Sequence, residues 1–118
     1  MTEDNIKSII EGTLSIPVFL GQESIIYPAA TLEIQNISPA LFGDGKSKRW
    51  TDDVYIKIWY EEKDSRDTAL TELMSVLDQT DGITPPEIES IYDTTAKKYR
   101  GIFHFQALRD YPMPDADT

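Results

Sequence analysis

Apolar and polar residues alternate most cleanly over residues 50–60, WTDDVYIKIWY. Trp50, Val54, Ile56, Ile58 and Tyr60 fall on one side of an extended chain. Thr51, Asp53, Tyr55, Lys57 and Trp59 fall on the other. Successive side chains of a strand point to opposite faces, so the segment predicts a half-buried strand. Its β-branched and aromatic residues suit a pleated surface. Tyr55 and Trp59 on the polar side imply that this side too is partly covered, by another element or another subunit. Residues 30–37 alternate in the same way, with Ala30, Leu32 and Ile34 on the apolar side. Residues 98–108, KYRGIFHFQAL, give a third strand, with Tyr99, Gly101, Phe103, Phe105 and Ala107 together. Residues 87–93, EIESIYD, predict a fourth, and Val18–Leu20 and residues 25–27 predict short extended pieces.

Two stretches carry helical spacing instead. Ile6, Ile9, Ile10 and Leu14 make an apolar stripe over residues 3–14, with Thr2 or Asp4 as the expected cap. Leu70, Leu73, Met74 and Leu77 make another, expected to start at Asp64 or Ser65 and to end at Gly82. Pro85 and Pro86 stop it. The order is helix, strand, loop, strand, helix, strand, strand. Segregated hairpins and helices predict an α+β fold: a mainly antiparallel sheet of about four strands with two helices on one face. A long loop, residues 38–49, separates the first two main strands. Loops of that length without structure of their own are usually functional. Residues 1–109 are expected to form one domain and residues 110–118 a disordered tail.

Composition narrows the function. The 118 residues are 40% hydrophobic and 27% charged, which is ordinary for a globular domain. There is no cysteine, hence no disulfide and no thiolate metal site. The start, MTEDNIKSIIEG, has acids where an export signal needs bases, so the cytoplasm is the expected location. A formal net charge of −10 disfavours binding to free nucleic acid. Two small basic clusters stand out: Lys46, Lys48 and Arg49, then Lys97, Lys98 and Arg100. They serve as edge protection, or they meet acidic partner surfaces, including those of a second copy.

Candidate chemistry is sparse. ALFGDGKS (40–47) fits a relaxed phosphate-loop pattern, but such a loop must pass from a strand into a helix. Here it passes into a predicted strand, so a nucleotide-using enzyme is the remote alternative. His104 is the lone histidine, flanked by Phe103 and Phe105 and without an evident triad, and is expected to be an ordinary strand residue. Carboxylate pairs such as Asp52/Asp53 lie on opposite strand faces and read as solvated charge. No catalytic residue, cofactor or metal ligand is assigned, and the chain is expected to act by contact rather than as an enzyme. The exposed aromatics suit subunit-interface packing better than base stacking.

ATLEIQNI, a polar loop, WTDDVYIKIWYEEKD, the helix ALTELMSVLDQ and KKYRGIFHFQ together resemble the tail terminator and tail completion proteins of long-tailed bacteriophages and prophages. The resemblance spans residues 3–108 and rests on element order. It implies a small α+β protomer that assembles into a ring, usually a hexamer, on the head-proximal end of the tail tube. There it would stop tube growth and join the head connector, with DNA only passing through the lumen. It implies assembly in the host cytoplasm and a final place in the virion. An acidic lumen would keep phosphates from sticking. The contact residues expected on this reading are Phe42, Lys46, Lys48, Arg49, Trp50, Tyr55 and Trp59. The alternative is another head–tail connector or a protein-binding adaptor.

Overall fold

The computed structural model describes residues 3–20, 28–43 and 46–110, with backbone alone for 36–43, 46–50 and 109–110. The elements run α1 (Glu3–Leu14), β1 (Val18–Leu20), β2 (Ala29–Gly43), β3 (Lys46–Tyr60), α2 (Lys63–Asp78), β4 (Glu87–Asp93) and β5 (Lys98–Asp110). The strands form one sheet in the order β1-β2-β3-β5-β4. The α+β class stands, but the sheet has five strands and is mixed. The added strand is Val18–Leu20, which pairs parallel to residues 30–32 of β2. Parallel pairing needs a crossover, and the connection includes residues 21–27, outside the described set. The expected extended piece at 25–27 also lies outside it.

One face of the sheet carries the core. Across the strands, Leu32 aligns with Ile56, Phe103 and Ile88, and Ile34 with Val54 and Phe105. Ile6 and Ile10 of α1 and Ala69, Leu73 and Leu77 of α2 complete the same cluster. Phe103 is fully buried, a contribution of about 2–3 kcal/mol for one large apolar side chain. Both helices thus lie on one side, as the alternation demands.

Arg66 of α2 is buried at 5% exposure, a position the helical spacing did not reveal. Its guanidinium donates to the carbonyl oxygens of Ile91 (3.4 Å) and Arg100 (3.3 Å) and lies 5.5 Å from the ring centre of Tyr99. Tyr60, Tyr99 and Tyr92 form the row beneath it. Burial, and secondarily the Glu72 carboxylate, push the Tyr60 phenol above its ordinary value. The neutral phenol is therefore favoured in the fold, and its contribution is lost only as pH rises past about 10.

The boundaries differ from the spacing-based ones in physical detail. α2 begins at Lys63 with Glu62 as N-cap and no side-chain cap bond. Its C-cap is Gln79, so Gly82, at φ +88°, serves the following turn instead. Asp4 lies inside α1 rather than capping it. Asp110, expected in the tail, closes β5 opposite Arg49; residues 111–118 lie outside the described set.

Gly101 shows how tightly α2 sits on β5. A Cβ placed there would come within 2.5 Å of Leu70 Cδ2 and 3.2 Å of Ile58 Cγ1. Gly101→Ala should therefore destabilise by about 1–2 kcal/mol, although alanine is normally better than glycine in a strand. Urea unfolding checks this, and the loss should shrink in a Leu70→Ala background.

Candidate interaction surface

The expected loop at 38–49 is largely strand. β2 runs to Gly43 and β3 starts at Lys46, with Pro39 opposite Trp50, Leu41 opposite Arg49, Phe42 opposite Ser47 and Gly43 opposite Lys46. Three register shifts interrupt the ladder, between 35 and 38, 39 and 41, and 41 and 42. Each inserts an extra residue, and the last leaves Lys48 without a partner in the register. Bulges break alternation, and proline is tolerated at bulges and on edge strands, so the pattern concealed a continuing strand. The residues after Gly45 enter β3 and not a helix, so the passage from strand into helix that a phosphate loop needs does not follow it.

The result is a long β2–β3 ribbon whose last residues, 46–48 on β3, run past β5 and are two-stranded. β1 covers only residues 30–32 of β2, and β5 reaches only as far as Arg49 on β3. Among the described residues, Lys46 and Ser47 pair with β2 alone. The molecule measures 51 × 24 × 24 Å. Its radius of gyration, 15.5 Å, exceeds the roughly 13.5 Å expected of a compact chain this long. Phe42, Lys46, Lys48, Arg49 and Trp50 all have their backbones on this ribbon.

Tyr55 and Trp59 are placed elsewhere, on the sheet face opposite the helices. That face is ordered in cross-strand rows. Ala29, Trp59, Arg100 and Ile91 form one, and Thr31, Lys57, Ile102 and Glu89 the next. Glu33, Tyr55, His104 and Glu87 follow, then Gln35, Asp53 and Gln106. Directly opposed side chains in a sheet are close enough to interact, and here they do. The Tyr55 and His104 rings stack at 4.4 Å and 9°. The Arg100 guanidinium lies 5.2 Å from the Trp59 ring centre. The covering inferred for Tyr55 and Trp59 thus comes in part from β5 side chains, within the same face.

His104 stands between two carboxylates. Its Nε2 lies 3.6 Å from Asp53 Oδ1 and its Nδ1 3.6 Å from Glu87 Oε1. Around it runs an open trough of about 580 Å³ across four strands. Tyr55, His104 and Ile102 line its middle, with Glu33 on one side and Glu87 and Glu89 on the other. Sequence reasoning missed Glu33, Gln35, Glu87, Glu89 and Ile102 as surface partners, because only register brings them together. Asp52 also departs from expectation: it is 5% exposed, on the helix side opposite Ala107, and not a solvated charge.

No group of three or more His, Cys, Asp or Glu residues that could hold a metal ion occurs among the described residues. No helix among them is long and apolar enough to cross a membrane. No protein-family model matches the chain, and no curated protein matches it.

The hairpin at residues 94–97 holds β4, and with it the Glu87 and Glu89 side of the trough. Asp93 Oδ1 accepts from the backbone N–H groups of Thr95 (2.9 Å) and Ala96 (3.0 Å). Lys97 adopts φ +58° to close the turn. The Ala96 N–H first, then that of Thr95 and the Arg100 charge, hold the Asp93 carboxyl below its ordinary value of 3.8. A depressed carboxyl stabilises above its unfolded value and loses that effect as pH falls through the folded one. Asp93→Asn should therefore speed amide exchange at Thr95 and Ala96 at pH 7. The difference from the parent protein should fade below about pH 4.

Proposed function

We propose that this chain is a structural assembly protein of the phage tail-terminator type. It forms a ring, with six protomers as the expected number, on the head-proximal end of a tail tube. The ring ends tube growth and docks to the head connector, and the genome passes through the lumen without specific binding. Assembly takes place in the bacterial cytoplasm, and the protein ends in the virion at the head–tail junction.

The observation that carries this reading is the β2–β3 ribbon. Two 15-residue strands carry the sheet beyond Ile34, the last core residue of β2 among those whose side chains are described. Only the ribbon's end, at residues 46–48, runs past β5, and a two-stranded end is marginal in water, so it gains most when a partner covers it. The order of elements supports the same reading in part: a first helix, the β2–β3 pair, a second helix and a last aromatic strand follow one another, although residues 38–49 are largely strand where the resemblance implies a loop.

A second reading has its own support. β4 is an edge strand, exposed along most of its length, and Ile88, Ile91 and Tyr92 are 36–44% exposed. Exposed apolar edges accept an extended segment of another protein. An adaptor that binds through β4 would need no ring.

Replacing residues 39–50 by Asn-Gly joins the paired positions Ser38 and Thr51 through a two-residue turn. The shortened protein should keep its fold, seen as a near-parental melting transition, and lose tube binding. Negative-stain images of tube protein polymerised with the parent chain should show capped ends of uniform appearance, and no caps with the shortened chain. Uncapped tubes in both cases would overturn the terminator reading. Binding to a partner protein that survives the shortening would favour the adaptor.

A further inference from the structure

The ribbon and the trough differ in charge in a way that pairs them. Residues 36–49 contain three cations, Lys46, Lys48 and Arg49, and one acid, Asp44. The chain as a whole has 11 Lys and Arg against 21 Asp and Glu. The ribbon is therefore a basic segment on an acidic protein. The trough has an aromatic and apolar floor between Glu33 on one side and Glu87 and Glu89 on the other. Lys57 is the one Lys or Arg among the residues that line it. An extended cationic segment fits such a trough: its backbone and aliphatic stems lie over the rings, and its charges reach the two acidic sides.

We infer that the trough receives the ribbon of a second copy of this chain, with Lys46, Lys48 and Arg49 set against Glu33, Glu87 and Glu89. The chain's own ribbon cannot fold back onto it. β3 runs continuously from Lys46 through Tyr55, which lies in the trough, so ribbon and trough are successive stretches of one strand. The two surfaces differ, so the contact is head-to-tail, and head-to-tail contacts generate rings when the rotation closes. The inference rests on the ring reading above and adds which surfaces make the ring.

Charge reversal tests it. Lys46→Glu/Lys48→Glu changes the ribbon, and Glu87→Lys/Glu89→Lys changes the trough, where both glutamates are exposed. Like charges facing across an interface are strongly unfavourable. Each variant alone should need at least about tenfold more protein to assemble than the parent, read by sedimentation velocity at low salt. An equal mixture of the two should assemble like the parent, because each reversed ribbon now meets a reversed trough. A chain with all four changes should assemble as well. Circular dichroism confirms that each variant is folded before it is scored. If either variant alone assembles like the parent, or the mixture stays unassembled, the pairing is wrong while the ring reading stands. A parent chain that stays monomeric, both alone and with tail tubes, removes the ring reading and this inference together.

Discussion

β3 is the central strand around which the described sheet is built. It is paired with β2 from Lys46 to Trp59, interrupted by three register shifts, and with β5 from Arg49 to Tyr60. A strand paired on both sides has a fixed register, and a fixed register assigns each side chain to one face or the other. Val54, Ile56 and Ile58 go under the helices, while Asp53, Tyr55, Lys57 and Trp59 go to the opposite face. A slip of one residue would put isoleucines in water and a lysine in the core. The helices follow from this, because α1 and α2 cover the apolar face and Arg66 ties α2 to the carbonyls of β4 and β5.

Because both helices lie on one side, the side chains of the other face pack against one another. They do so row by row, through a Tyr–His stack, an Arg–Trp contact and the carboxylates beside His104. These contacts are half-exposed and individually modest. They leave a surface that is structured but not closed. The aromatic floor between acidic sides follows from the register of β2 and β4, not from any contiguous run of residues.

The ribbon obeys a different constraint. Among the residues whose side chains are described, Ile34 is the last of β2 in the apolar core, yet pairing between β2 and β3 continues through three register shifts. The shifts bend and twist the ladder, and they blunt an edge that would otherwise invite unspecific pairing.

The sequence by itself determined the class of fold, the two helices, the main strands and the division of each strand into two faces. These are local periodicities of two and 3.6 residues, readable wherever one side of an element is buried. It also indicated the single-sided helix layer and singled out residues 38–49 as the distinctive segment. Tertiary structure alone decided that this segment is strand, since bulges erase alternation and a proline on an open edge misleads. It alone decided the parallel pairing of Val18–Leu20, the burial of Asp52 and Arg66, and the meeting of Glu33, Tyr55, His104 and Glu87. Each of these depends on which residue of one strand stands opposite which residue of another. That register is set by long-range hydrogen bonding and packing, and no window along the chain contains it.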